Sequence, residues 1–195
     1  MARQMIAALQ ISLDGFTQGS DQGGPEWVDS WADAIALVPD VDTFVQGAHM
    51  YPGYGIYWES IYADPTRLAP FQGRVPSARE IAYAKLAAKS PHYVVSSTLE
   101  SVSWPPTARI TRNIEELRAL KSQPGKNIYV VGGPTLVTSL LDANLLDELK
   151  LIVHPLLLGS GKALFAGVTR RRALQFVNAT PADSGRVVLS YRCPA

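Results

Sequence analysis

Three short clusters in this chain have residue types that could meet an anionic or ribose-bearing ligand. They are Gly47-Ala48-His49 after "TFVQ", Ser96-Ser97-Thr98 after "HYVV", and Gly132-Gly133-Pro134-Thr135 after "NIYVV". Glycine lets a ligand approach the backbone, and serine and threonine offer hydroxyl donors. A helix starting at Pro134 would add unpaired N–H groups and a partial positive charge. Taken alone, Gly132-Gly133 fits a tight strand-to-helix turn as well as a phosphate site. Three such clusters after three apolar runs favour one extended, phosphate-bearing ligand.

Other chemistries lack their residues. No GxGxxG follows the first apolar run, and no nucleophile elbow occurs. Gly159-Ser160-Gly161-Lys162 looks like the end of a P-loop but lacks the upstream glycine spacing and a Ser/Thr after the lysine. His49, His92 and His154 are scattered and share no metal-ligand spacing with Cys193, so no metal site is expected. The single cysteine cannot form an intramolecular disulfide. Arg170-Arg171-Arg172 is the one basic run and reads as a solvated turn.

The elements that must position these clusters follow from periodicity. Gln4 to Ser12 is an apolar-rich run and reads as a buried first strand rather than a signal peptide. The glycine-rich stretch from Ser12 to Pro25 is a loop by composition, and its part from Asp14 to Pro25 could close over the site as a lid. "EWVDSWADAIALVPD" has helical spacing closed by Pro39, and Thr43 to Gln46 is a short strand. The segment 52–76, rich in Tyr, Pro and Gly, yields no assignment. Ser77 and Glu80 form a capping box ahead of "AREIAYAKLAAKS", and "HYVV" is a strand ending at Ser96-Ser97. "WPPTARIT" is a loop and a brief strand, and Asn113 caps "IEELRALKSQ". "NIYVV" is a strand, "PTLVTSLLDANLL" a helix with proline in its first turn, and "DELKLIVH" a strand ended at Pro155. Two alternating runs flank Asp183-Ser184-Gly185, a hairpin signal.

Strands alternating with helices call for an α/β three-layer sandwich: a mostly parallel central sheet, helices on both faces, and a C-terminal antiparallel β-hairpin. Apolar residues make up 47% and charged residues 18% of the 195, an ordinary globular balance, and one domain over 1–195 is expected. The net charge of +1 carries no footprint of a nucleic-acid binder. No apolar stretch is long enough to span a bilayer, and a cytoplasmic protein is expected.

On "SLDGF", "FVQGAHMY", "YVVSSTL" and above all "IYVVGGPTLVTSLLDANLLDELKLIVHPLLLGSGKALF", the chain resembles the dihydrofolate reductase superfold. Within it, the chain is most similar to the C-terminal reductase domain of riboflavin-biosynthesis deaminase/reductases and its stand-alone relatives. The resemblance covers nearly the whole chain. It implies NADPH-dependent hydride transfer to a small heterocyclic substrate such as 5-amino-6-(5-phosphoribosylamino)uracil, and a homodimer formed through the C-terminal strands. It places Gly132, Gly133, Pro134, Thr135 and Leu136 at the pyrophosphate and adjoining ribose. Ser96 and Ser97 would face the adenosine ribose and its 2′-phosphate, and Gly47, Ala48, His49 and Met50 would complete the phosphate grip. Ala8, Asp14, Gly15 and Phe16 would lie along the nicotinamide, with Asp14 the candidate catalytic residue and an Asp-Gly turn former as its alternative.

The chain departs from the family at the second cluster. The family often has Gly-Arg-x-Thr, and this chain has Gly47-Ala48-His49-Met50. Loss of that arginine opens the way to NADH; His49 or Arg112 could replace it. A phosphorylated substrate would need a cation, for which Arg67, Arg74 and Arg79 are candidates. Glu26, Asp29 and Asp33 are candidates for a pterin-holding carboxylate, Asp29 and Asp33 by a shared helix face. A folate reductase and a non-catalytic nucleotide-binding or regulatory dimer remain alternatives.

Overall fold

The computed structural model describes residues 3–20 and 27–194. Eight strands form one sheet in the order β5-β4-β3-β6-β1-β7-β10-β9. Six of them are mutually parallel: β1 (Met5–Ser12), β3 (Val41–Gly47), β4 (His92–Val95), β5 (Ala108–Thr111), β6 (Asn127–Val131) and β7 (Glu148–His154). Their carboxyl ends therefore share one edge. The terminal hairpin, β9 (Gln175–Pro181) and β10 (Val187–Arg192), pairs antiparallel, with β10 against β7. The expected layer architecture is what the chain adopts.

Alternation along the strands builds two cores. In β1, Met5, Ala7, Leu9 and Ile11 face one cluster, while Ile6 and Ala8 face the other. The first cluster is covered by α4 (Glu116–Lys121) and α5 (Pro134–Asp142), and the second by α1 (Ala32–Ile35), α2 (Tyr51–Ala63) and α3 (Ala78–Ala87).

Helix starts follow their caps. Ser77 accepts from the Glu80 N–H at 3.3 Å and the Glu80 carboxylate accepts from the Ser77 N–H at 2.8 Å, completing the expected capping box of α3. Asn113, expected as the cap of "IEELRALKSQ", instead accepts from the Glu115 N–H at 2.9 Å in the turn before α4, whose N-cap is Glu115 and makes no side-chain cap bond.

Two expectations needed correction. The helix expected across "EWVDSWADAIALVPD" is only Ala32–Ile35. The carbonyls just before it are taken by side chains instead, Asp29 by Arg74 at 2.6 Å and Ser30 by Gln10 at 2.8 Å. Asp29 thus lies outside the helix and shares no face with Asp33. The unassigned segment 52–76 contains α2, whose Pro52 sits in the first turn where the missing N–H costs nothing. Tyr51, Tyr54, Trp58 and Ile61 bury one stripe of it at helical spacing.

A two-stranded sheet was also not foreseen: β2 (Phe16–Gly19) pairs with β8 (Gly161–Ala163). Gly161 has φ 138°, and a Cβ there would lie 2.1 Å from the Gln18 carbonyl oxygen. Only glycine lets the two strands approach so closely, which gives "GSGKALF" its structural reason.

Candidate active site

The ends of β1 and β6 lie side by side, but their pairing stops early. The β1–β6 ladder ends at Ala7↔Val130, whereas the β1–β7 ladder runs on to Ser12↔His154 and the β3–β6 ladder to Gln46↔Val131. The chain leaves β1 for β3 across one face of the sheet and leaves β6 for β7 across the other. Connections departing on opposite faces leave a crevice at the carboxyl ends of the strands, where open α/β sheets bind ligands. Ala8 sits on its floor, 4% exposed, and its carbonyl accepts from the Tyr129 hydroxyl at 3.2 Å.

From that crevice a continuous wall runs along the sheet edge. At β6, Gly133 is the N-cap of α5 and Pro134 follows in the first turn. A Cβ on Gly132 would lie 2.8 Å from Leu136 Cδ2, so Leu136 folds over that glycine. A Cβ on Gly133 would meet nothing within 4 Å. That open position, beside a helix start with no side-chain cap, is a cradle that fits a pyrophosphate. Leu136 also reaches the β3 end, its Cβ 3.7 Å from where a Cβ on Gly47 would stand.

The wall continues through backbone bonds. The Ala48 N–H donates to the Val95 carbonyl at 3.2 Å and the Ser96 N–H to the Thr111 carbonyl at 3.1 Å. The ends of β6, β3, β4 and β5 are thereby contiguous over about 14 Å, three strand spacings. Ser96 is buried and its Oγ accepts from the Thr98 and Leu99 N–H groups at 3.2 and 2.8 Å. Ser97 and His49 are exposed, and Met50 is the N-cap of α2. Thr135 instead lines a groove of about 530 Å³ on the β8 side of α5, together with Ser139 and Lys162.

Asp14, Gly15 and Phe16 stand beyond β1. Asp14 accepts from the Ser12 hydroxyl at 2.6 Å, from Gly159 N–H at 2.7 Å and from Leu158 N–H at 3.1 Å. These bonds, the Ser12 hydroxyl foremost, hold its carboxyl below the usual carboxylate range. Asp14 is thus an ionised group that fastens the β1–β2 turn to the segment after β7. Gly15 donates to the Ser12 carbonyl at 2.9 Å and accepts from Leu164 N–H at 2.9 Å, and the Phe16 N–H donates to Ser12 Oγ at 3.0 Å. Of the proposed lid, residues 21–25 lie outside the described residues, as does Glu26.

On the α1/α2 face of the sheet, aromatic rings gather near the end of β7 and over α2. Trp27 meets His154 edge-on at 4.8 Å, and Trp31 meets Tyr57 at 4.6 Å. His154 Nε2 and Gln10 Oε1 are 2.9 Å apart, and burial lowers the His154 pKa. The sequence reading took His154 only as a scattered histidine and did not single out Gln10, although polar residues within apolar strands were their signal. The tyrosines of α2 are engaged through their hydroxyls: Tyr51 with Trp104, Tyr54 with Tyr83 and His92, and Tyr57 with Glu80.

Each cation named for a substrate phosphate has a carboxylate partner, Arg67 only in an exposed pair. Arg74 grips the fully buried Glu80 carboxylate at 2.8 and 2.9 Å, Arg79 and Arg186 share Asp33 at 2.7 and 3.0 Å, and Arg67 pairs with Asp64 at 3.4 Å. Among the described residues no group of three or more His, Cys, Asp or Glu could hold a metal ion, and no helix is long and apolar enough to cross a membrane.

Known proteins share this architecture. A dihydrofolate reductase from Enterococcus faecalis, solved with NADP(H), superposes with a TM-score of 0.64 at 14% identity, covering 100% of both chains. The diaminohydroxyphosphoribosylaminopyrimidine deaminase/5-amino-6-(5-phosphoribosylamino)uracil reductase of Thermotoga maritima superposes with a TM-score of 0.60 at 15% identity, covering 99% of this chain and 57% of that one. In sequence, the uncharacterized protein YyaP of Bacillus subtilis (strain 168) is 30% identical over 191 residues, 97% of this chain and 94% of that protein. Residues 3–188 match the sequence model of the RibD C-terminal domain, and the chain belongs to that family.

Proposed function

We propose that this protein is an oxidoreductase that binds a reduced nicotinamide dinucleotide across the strand ends and reduces a small heterocycle. The observation that carries this reading is the open position at Gly133 in line with the β1–β6 crevice, on the edge that continues to Ser96 and Ser97. The nicotinamide, when bound, supplies the hydride. Gly132, Gly133 and Leu136 would seat the pyrophosphate, and Gly47 to Met50 and Ser96-Ser97 the adenosine side. Ala8 and the Gly15-Phe16 turn would flank the nicotinamide, and Asp14 would act as a positioning residue by holding that turn. The enzyme's part is to align the two rings and exclude water.

The substrate ring would sit beside the crevice, on the aromatic α1/α2 face of the sheet. Since Arg67, Arg74 and Arg79 are paired with carboxylates, the ring we favour there is flat and carries no phosphate of its own. A folate needs a carboxylate free to hold its ring; Asp33 is instead paired with two arginines, and Asp29 is exposed ahead of α1. Oxidation of the reduced dinucleotide, followed by absorbance, tests the reading. Dihydrofolate, 5-amino-6-(5-phosphoribosylamino)uracil and its dephosphorylated form are the substrates to compare. Turnover of a uracil, fastest without phosphate, is expected; turnover of dihydrofolate alone would sink the reading.

We further propose a homodimer. All seven residues of β9 are exposed, including Phe176 and Val177, and its outer edge is unpaired. Light scattering on the eluting protein should give twice the chain mass; Val177→Lys should reduce it to one.

A further inference from the structure

Two polar side chains meet where β7 ends. Leu149, Leu151 and Val153 of β7, with Leu9 and Ile11 of β1, face the α4/α5 core, so His154 and Gln10 project from the opposite face. Gln10 stands two residues beyond Ala8 on that face, about 7 Å along β1 from the floor of the crevice. Its Nε2 donates to the Ser30 carbonyl at 2.8 Å, which leaves Oε1 as the atom 2.9 Å from His154 Nε2. An amide oxygen only accepts, so His154 Nε2 carries a hydrogen. Nδ1 is then the nitrogen that gains and loses a proton, and it has no partner among the described residues. The Trp27 ring covers the imidazole edge-on at 4.8 Å, and His154 is only 4% exposed.

The other ionisable groups nearby are engaged or exposed. Asp14 accepts from Ser12, Leu158 and Gly159, Asp33 is shared by Arg79 and Arg186, Tyr57 donates its hydroxyl to Glu80, and Asp29 is exposed ahead of α1. Resting on the reductase reading above, we propose that His154 is the proton donor of the reduction, a catalytic residue that delivers a proton from Nδ1 to a substrate nitrogen while Gln10 holds its other nitrogen. The carbon of a substrate C=N bond receives a hydride, with both electrons, from the reduced dinucleotide, which is thereby oxidised. The π pair moves onto the nitrogen and takes the proton as the Nδ1–H bond breaks, and the neutral imidazole recovers a proton from water. Gln10 is a positioning residue, because it fixes which nitrogen titrates. Burial, and then the Arg186 guanidinium level with His154 across β10, lower the His154 pKa from 6.5, while Asp29 and Asp33 act the other way. The protonated form is therefore the stronger acid but is populated only in mild acid, so turnover should fall as pH rises.

Nitrogen NMR of the full chain carrying ¹⁵N-histidine, together with NADPH oxidation on the dephosphorylated aminouracil from about pH 5 to about pH 8, tests this. In the native protein Nε2 should stay protonated while Nδ1 titrates below about 6.5, with His154→Asn identifying the signals. Native kcat should fall about tenfold per pH unit above that midpoint. His154→Asn should lower kcat about a hundredfold and flatten the pH profile, with KM and the NADPH affinity from tryptophan fluorescence unchanged within about twofold. Gln10→Leu should lose less and let the proton occupy either nitrogen. His154→Gln is a second variant, and a thermal melt checks the folding of each. An unprotonated Nε2 in the native protein would overturn the assignment whatever the kinetics and whether or not the variants fold. Native kcat and pH slope in His154→Asn, or a loss confined to KM, would also overturn it and leave the reductase reading standing. Failure of the native protein to turn over any of the three heterocycles named above would bring down the reading and the assignment together.

Discussion

Gln46 is the last side chain of β3 before Gly47, fully buried, and neither atom of its carboxamide has a partner among the described residues. It lies level with Val94 and Val131, among apolar neighbours. A buried amide without bonds costs more than an apolar group of the same shape. Gln46→Met should therefore stabilise the fold by about 1–2 kcal/mol in urea unfolding; a lower midpoint would show that Gln46 has a partner in solution. Gly133 tests the neighbouring strand end. Its φ of −79° and ψ of 179° suit any residue, and the space at its Cβ is open. Gly133→Val should melt like the native protein yet bind NADPH about tenfold more weakly, a difference of about 1.4 kcal/mol. Asp14 belongs to the same scale. Asp14→Ala should speed amide exchange at Leu158 and Gly159, whose N–H groups it accepts from, and leave the interior of β6 unchanged.

The start of α3 ties several elements together through one carboxylate. Glu80 is wholly buried and accepts from Arg74, Ser77, Tyr57 and Ser30, reaching α2 and the segment before α1. These bonds, led by Arg74, outweigh the cost of burial and hold its pKa down to about 2. Glu80→Ala removes the bonds from Ser77, Tyr57 and half-exposed Arg74 and should cost about 2–3 kcal/mol by urea unfolding. The local half of this arrangement, Ser77 with Glu80, was legible in the sequence because a capping box is a three-residue spacing. Its long-range half was not, because Arg74, Tyr57 and Ser30 meet Glu80 only through tertiary packing. The same division holds elsewhere. Strands β4, β6 and β7 and helix α5 were readable from periodicity and from Pro134. By contrast, α2 was hidden by Pro52, Gly53 and Gly55, and α1 was shortened by side chains of distant residues. At the site, the three strand-end clusters were legible because small and polar residues follow apolar runs. The commitment of Arg79 to Asp33 depends on a partner far away in the chain, and that of Arg74 to Glu80 on how the segment before α3 folds back.

At the scale of the molecule, acid should unfold the protein in two stages. His92 is buried against Phe44 and Tyr54, and burial lowers its pKa from about 6.5 to about 4. Its neutral form is the folded one, so its contribution is complete above about pH 6.5 and is lost as pH falls towards about 4. At about 1.36 kcal/mol per pH unit this amounts to about 3 kcal/mol. Glu80 acts lower: its stabilisation is complete above its unfolded value of about 4.5 and disappears as pH falls through about 2. Urea midpoints measured from pH 7 to pH 3 should fall first between about 6.5 and 4, and His92→Phe should reduce that first stage, the rest belonging to His154, whose pKa burial also lowers. The whole sheet edge, from the β1–β6 crevice to Ser96-Ser97, acts as one ligand wall only if a dinucleotide occupies it. Titrating NADPH into the native protein and following its tryptophan fluorescence tests this most directly. Saturable quenching at one site per chain in the micromolar range is the predicted result; a signal that stays linear into the millimolar range would contradict it.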